Sequence, residues 1–386
     1  MSYPMIEIGE LMLKRNGSVD PSKFVDETFE LHSIPAFDRG FPDIVKGSEI
    51  GSSKQLVQEN DVMISKIVPH IRRASVVCKK GNFRQIASGE WIVFRSDKIY
   101  PDYLKHVLIS DIFNKQFMST VSGVGGSLLR ARPAFVSKIK IALPPLSEQR
   151  RIASILDKVD ELRQKRQQAI KKLDQLLQAT FIDMFGDPIS NPKNWNNCRL
   201  EQVTHKITDG THKTPIYMSS GIEFLSAKDI KNGHIVWDTK KYISEQEHCQ
   251  LIKRCNPEFG DIVLAKSGSL GSVAVIDRSH QFSLFESLCL IKHDRKKIDA
   301  LFLTCMLRNP SMLAHLLGKN KGIAIKHLHL VDIRGLQILL PPISLQHEFA
   351  SRIRAMDKLK SIHSASFESL NSLFKSLQSQ AFSGTL

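Results

Sequence analysis

The chain carries one seven-residue pattern twice. Leu143-Pro144-Pro145-Leu146-Ser147-Glu148-Gln149 returns 197 residues later as Leu340-Pro341-Pro342-Ile343-Ser344-Leu345-Gln346. Holding that offset aligns Ala153-Ser154 with Ala350-Ser351, Asp160 with Asp357, Leu162 with Leu359 and Leu173 with Leu370. Upstream, Asp61-Val62-Met63-Ile64-Ser65-Lys66 is echoed by Asp261-Ile262-Val263-Leu264-Ala265-Lys266. Each of these is a buried-strand pattern with an acid at its start and a lysine near its end. So many matches in order make chance a poor explanation. The chain reads as one unit of about 195 residues used twice, a mixed α/β globule followed by a helix.

The two helices are the clearest local signal. Pro144-Pro145 closes a short strand expected over 136–143, as Pro341-Pro342 closes one over 333–340, and Ser147 is a natural N-cap. A 3-4 spacing then runs through Ile152, Ile155, Val159, Leu162, Arg166, Ala169, Leu173, Leu176 and Thr180, until Asp187-Pro188 and Asn191-Pro192 stop it. The second helix, from Ser344, offers Phe349, Ile353, Met356, Leu359, Leu370, Leu373 and Leu377, and is looser around His363 and Ser366. Arg166 and His363 are equivalent seam positions; a polar layer that fixes register and a side chain that snorkels outward both fit. Each helix has one apolar stripe, so the two are expected to pack on each other, antiparallel. From Ser147 to Gln178 the rod would be about 48 Å long. It would hold the globules at its two ends about a pseudo-twofold axis. The expected class is α+β, with α/β domains at 1–142 and 186–340 and helices at 143–185 and 341–386.

Composition narrows the partner. Lys+Arg 54 against Asp+Glu 39 leaves +15, spread along the chain without a basic tail, which favours a polyanion such as nucleic acid. The six cysteines lack any Cys-x-x-Cys pair and read as reduced thiols. No apolar run suits a membrane helix, and Glu7 and Glu10 disfavour a signal peptide, so the expectation is a cytoplasmic protein with no membrane partner. Two stretches hold cations and no carboxylate. One, between Asp61 and Glu90, carries Lys66, Arg72, Arg73, Lys79, Lys80 and Arg84. The other, between Asp111 and Glu148, carries Lys115, Arg130, Arg132, Lys138 and Lys140 around the glycine-rich segment 123–127. The second half repeats the latter with Arg308, Lys319, Lys321 and Lys326 between Asp299 and Asp332. Any one such stretch is also what a solvated face looks like, and Asp209-Gly210-Thr211-His212-Lys213 reads equally as a donor-rich loop or an Asp-Gly turn.

Catalytic patterns are lacking. Lys266-Ser267-Gly268-Ser269-Leu270-Gly271-Ser272 has no P-loop ending and reads as a turn. Both Pro-Pro pairs lack the polar residue before and the aromatic after that an amino-methyltransferase motif needs, and no Glu-x-Lys of the usual nuclease pattern occurs. His248, Cys249 and Cys255 are too irregularly spaced for a metal site, and His327 and His329, alternating on an expected strand, read as structural or DNA-facing.

Two globules, each followed by a helix opened by Leu-Pro-Pro-(Leu/Ile)-Ser-x-Gln, resemble the specificity subunit of type I restriction–modification systems. The stretch from Leu143 through Phe181-Ile182-Asp183-Met184-Phe185-Gly186-Asp187 is similar to that family's central region, and Asp209-Gly210-Thr211-His212 and Phe259-Gly260-Asp261-Ile262 to other recurrent motifs. Trp195, which has no counterpart at the start of the first globule, and Asn60 in place of Gly260 are departures. The resemblance implies a subunit without chemistry of its own, in which each globule reads one half of a split double-stranded DNA target and the rod sets the spacer. Methyltransferase subunits carrying S-adenosylmethionine would dock on the helices and flip the target adenine. Restriction subunits would use ATP and magnesium. This chain would hold no cofactor and no metal. The expected DNA contacts are Lys66, Arg72, Arg73, Arg130 and Arg132 for one half-site, and Thr211, His212, Lys213, Lys266, Lys319, Lys321 and Lys326 for the other. A coiled-coil scaffold protein with an incidental basic surface is one rival reading; a self-contained methyltransferase or nuclease, which the lack of catalytic patterns disfavours, is the other.

Overall fold

A computed structural model describes residues 3–13, 17–79, 81–123, 129–238, 241–318 and 327–386. The chain divides into two compact units, Met1–Gln167 with Ser364–Leu386, and Gln168–His363. Each unit therefore holds one globule and two helical segments, one from each of the long helices Leu146–Phe185 and Ile343–Ser383.

In the first unit a five-stranded sheet runs in the order Ser18–Val19, Lys54–Leu56, Arg84–Ala87, Thr28–His32, Asp43–Lys46. Only its Thr28–His32 and Arg84–Ala87 strands are parallel to each other. Beside it lies a three-stranded antiparallel sheet of Ala74–Val76, Val62–Ser65 and Trp91–Phe94. The second unit has a four-stranded antiparallel sheet of Thr204–Asp209, Leu288–His293, Ile262–Ala265 and Val273–Val275. Its three-stranded sheet repeats the parallel contact, Ile222–Leu225 with Phe282–Leu284. In both units the strand that follows the aspartate, Val62–Ser65 or Ile262–Ala265, is buried on both faces, which its unbroken apolar sequence requires.

The aspartates explain their own place. Asp61 is buried, accepts the backbone N–H of Gln58 and takes both Nε and Nη2 of Arg95 at 2.6 Å. Asp261 accepts the N–H of Glu258 and the Nζ of Lys292 at 2.7 Å. The residue before each has a left-handed backbone, φ 71° at Asn60 and 86° at Gly260. Asparagine tolerates that conformation as glycine does, so the two turns are one turn written with different residues.

The shared sequence pattern builds a joint between globule and helix. Gln149 is fully buried; its Oε1 accepts the N–H of Tyr100 at 2.7 Å, and its Nε2 donates to the carbonyls of Lys98 at 3.0 Å and Pro144 at 2.8 Å. Gln346 does the same with the N–H of Asp299 at 2.9 Å and the carbonyls of Lys297 at 3.4 Å and Pro341 at 2.8 Å. A buried amide must satisfy both ends, and these two do so with main-chain partners alone. The strands that lead into the joint are shorter than the sequence suggests, Lys140–Ala142 and Gln337–Leu339; the helical turns Pro133–Val136 and Leu330–Arg334 occupy the residues before them.

Within each unit the helical segments run antiparallel. In the first, Arg163 Nε donates to Asn371 Oδ1 at 2.6 Å, its guanidinium lies 4.5 Å from the Phe374 ring centre, and Arg166 Nε donates to Ser366 Oγ at 3.2 Å. In the second, Lys360 Nζ meets Asp174 Oδ1 at 2.6 Å. Ile152, Val159 and Phe374 are buried in the core of the first unit, with Leu370 packed against it. Phe349 and Ile353 are buried in the core of the second, with Leu177 and Met356 against it. Ile155, Leu162 and Leu173 are partly buried. Three expected packing positions differ: Leu176 is 49% exposed, Leu359 49% and Leu373 46%. The cause is helical phase. At 3.6 residues per turn, a residue 25 positions on returns to within about 20° of its start, whereas one 24 on is about 120° away. From Ile152 and Phe349 respectively, Leu177 and Phe374 keep phase while Leu176 and Leu373 have left it. Likewise Lys360, eleven residues after Phe349, takes the inward place that Leu359 was expected to hold.

Candidate nucleic-acid interface

The first unit gathers three of its expected basic residues. Lys66 ends the buried strand; its N–H donates to the Glu90 carbonyl at 2.9 Å, and its carbonyl accepts the Ala131 N–H at 2.8 Å. That bond sets Arg130 and Arg132 on either side of the Lys66 backbone. Arg130 is exposed and faces the Glu90 carboxylate with Nε and Nη2, both at 3.3 Å. Arg132, also exposed, lies 4.1 Å over the Phe135 ring. Arg72 and Arg73 are held elsewhere, each by an acid distant in sequence. Arg72 Nη1 reaches the Ile109 carbonyl at 3.3 Å and Asp111 Oδ1 at 2.5 Å. Arg73 is bidentate on Asp38 at 2.7 and 2.8 Å.

In the second unit the Asp209 loop is organised by a buried carboxylate. Gly210 lies so close to the Leu284 backbone that a Cβ has no room, which explains the Asp-Gly pair. Thr211 uses its hydroxyl locally, accepting the Lys213 N–H at 3.2 Å and donating to the Lys213 carbonyl at 3.1 Å. His212 bridges two acids, with Nε2 3.1 Å from Asp209 and Nδ1 3.2 Å from Glu286. Lys213 is exposed. Lys266 requires correction as a surface contact: it is 7% exposed and its Nζ lies 2.5 Å from Asp209 Oδ2. The apolar strand carries it inward, where a lysine persists only with a paired acid. Arg254, which no sequence pattern singled out, also bonds Asp209. Burial pushes the Asp209 carboxyl up, but the Lys266 hydrogen bond and the charges of Lys266, Arg254 and His212 outweigh it and hold it below its ordinary value.

Lys319, Lys321 and Lys326 lie outside the described residues. The repeat still locates what stands opposite Arg130 and Arg132. Leu328 N–H donates to the Lys266 carbonyl at 2.9 Å, just as Ala131 does to Lys66, so His327 and His329 occupy the arginine places. These histidines are in irregular chain, not on the expected strand, and His329 immediately precedes the turn Leu330–Arg334. The turn Lys266–Ser272 is as expected, with Gly268 and Gly271 at positive φ.

Among the described residues no cluster of His, Cys, Asp and Glu could hold a metal ion, and no helix is long and apolar enough to cross a membrane. Burial raises the thiols of Cys255 and Cys305 to about 12, which makes them poor nucleophiles.

Two sheet-bearing modules of related design, each pinned to a long helix by a buried glutamine, define a tandem-repeat protein. The chain belongs to the family of type I restriction modification DNA specificity domains, whose model matches residues 3–172 and 192–371. It is 24% identical over 276 residues to the type I restriction enzyme EcoBI specificity subunit of Escherichia coli, covering 64% of this chain and 58% of that protein. To the EcoKI specificity subunit of Escherichia coli strain K12 it is 24% identical, over 76% of this chain and 68% of that one. To the putative MjaX specificity subunit of Methanocaldococcus jannaschii it is 21% identical, over 93% and 86%. The fold matches that of the type I restriction–modification S subunit from M. genitalium with a TM-score of 0.60 at 13% identity, over 98% of this chain and 96% of that one. A chain from a solved structure on complex assembly and conformational transition of the type I R-M system matches at TM-score 0.58 and 20% identity, over 100% and 98%.

Proposed function

We propose that this chain is the non-catalytic DNA-recognition subunit of a type I restriction–modification complex. Residues 1–142 and 186–340 each read one half of a bipartite target, and the helical segments 143–185 and 341–386 set the spacer and dock methyltransferase subunits. Those partners carry S-adenosylmethionine and methylate adenine N6; restriction subunits supply ATP- and magnesium-dependent cleavage. The complex works in the cytoplasm. The observation that carries this reading is the duplication itself within a family defined by DNA specificity: one frame, with cations around Lys66 and around the Asp209 loop, used twice.

Lys66, Arg130 and Arg132 are the first half-site's contacts, with Arg72 and Arg73 available only on leaving Asp111 and Asp38. Thr211, His212 and Lys213 serve the second, with Lys319, Lys321 and Lys326. Lys266 acts through Asp209, as a strut beneath the loop. Mapping N6-methyladenine in the source genome, with the gene intact and deleted, tests the reading. Loss of one split methylated motif supports it. Survival of every motif, together with failure to bind DNA beside a methyltransferase subunit, favours a protein scaffold.

A further inference from the structure

The loop that follows Asp209 ends in three consecutive exposed apolar residues, Ile216 at 81%, Tyr217 at 42% and Met218 at 48%. Scattered apolar side chains on a surface need no explanation; a contiguous run on a pinned loop does. The pins are on both sides. Thr211 N–H donates to the Leu284 carbonyl at 3.0 Å and Pro215 is buried. Beyond the tip, Met218 N–H donates to the Tyr242 carbonyl at 2.8 Å, and the Tyr217 ring stands edge-on to Phe224 with Lys241 Nζ 4.7 Å above it. Ile216 is thus presented, not merely left out.

Its surroundings suit a polyanion. From Gly210 to Ile222 the chain has no carboxylate and carries Lys213, and from outside that stretch the Lys241 ammonium stands over the Tyr217 ring; His212 is engaged by Asp209 and Glu286. The matching turn of the first unit follows buried Pro21 and also exposes Phe24 and Val25, but there Asp26 directly follows Val25 and the Arg84 guanidinium stands over the Phe24 ring. We infer that Ile216 is a specificity-determining contact that packs on the 5-methyl group of a thymine in the major groove of one half-site. Apolar side chains distinguish thymine in this way, and neighbouring cations hold the phosphates. The assignment rests on the recognition role proposed above, and no such contact is assigned to Phe24 or Val25.

The test uses the full chain assembled with its methyltransferase subunit, on duplexes bearing the motif that the genome map defines. Each thymine is replaced in turn by deoxyuridine, which removes only the methyl. With the parent chain and with Val25→Ala, one replacement, confined to one half-site, should slow methylation about fourfold. With Ile216→Ala that replacement should have no effect, and Ile216→Val should fall between. The inference is overturned if the motif contains no thymine, if every replacement is neutral, or if Ile216→Ala retains the full effect. It is overturned also if Ile216→Ala loses the methyltransferase subunit on co-purification, which would make the tip a protein contact. If the parent assembly methylates no split motif, the recognition role itself fails.

Discussion

Lys266 and Asp209 form a buried ion pair, Nζ to Oδ2 at 2.5 Å, between strands 57 residues apart in sequence. The pair converts a lysine that looks like a phosphate contact into the support of the loop that bears His212 and Lys213. Removing one partner of such a pair strands the other charge in the core. Asp209→Asn should therefore destabilise the second unit by about 3 kcal/mol in urea unfolding at neutral pH, and Lys266→Met added to it should restore part of the loss.

The same carboxylate sets a pH dependence. Its pKa is lowered in the folded chain, so it binds protons more readily when unfolded. The stability it contributes is complete above the unfolded value of about 4 and is lost as pH falls through the folded value. Melting of the parent chain from pH 7 down to pH 3 should show this loss, and Asp209→Asn should show a shallower one.

Gln149→Ala and Gln346→Ala each leave one N–H and two carbonyls without their side-chain partner. Each should cost about 2–3 kcal/mol by urea unfolding, at the scale of buried polar groups left unpaired. Gln→Glu at either position should not rescue, because an ionised carboxylate has no N–H to offer the two carbonyls.

Helical phase separates neighbours sharply. Phe374→Ala should destabilise the first unit by about 3 kcal/mol or more, as deletion of a buried ring does. Leu373→Ala and Leu176→Ala should lie within about 0.5 kcal/mol of the parent. Chemical unfolding of the three variants decides.

Lys213→Ala should weaken DNA binding by the assembled complex on cognate and unrelated sequences alike, and lower the slope of log K against log salt by about one. A titration across salt concentrations reads both.

The features legible in the sequence were those written in consecutive residues: the repeated pattern, the apolar strands after Asp61 and Asp261, and the helical stripes. The features it hid join distant positions. Nothing near Lys266 announces Asp209, nothing near Arg73 announces Asp38, and Gln149 meets main-chain atoms about fifty residues upstream, which leave no side-chain signature at all. Even the helices depart from their apolar stripe at Leu359, which points outward while Lys360, paired with Asp174, takes the inner place. The stretch 333–340 looked like one strand because its apolar residues do not reveal where a helical turn gives way to extended chain.

The glutamine joint has a genetic consequence. Its partners in the globule are an amide hydrogen and a carbonyl, atoms that every residue but proline supplies, so these bonds make no demand on which side chains lie there. A globule exchanged at the joint would keep these bonds by keeping the backbone course, and would have to supply only the apolar partners of Ile152, Val159 and Phe374 in the first unit, or of Phe349 and Ile353 in the second. Under the recognition role proposed above, such an exchange would re-pair half-sites in a single recombination event, while Gln149 and Gln346 stay as they are.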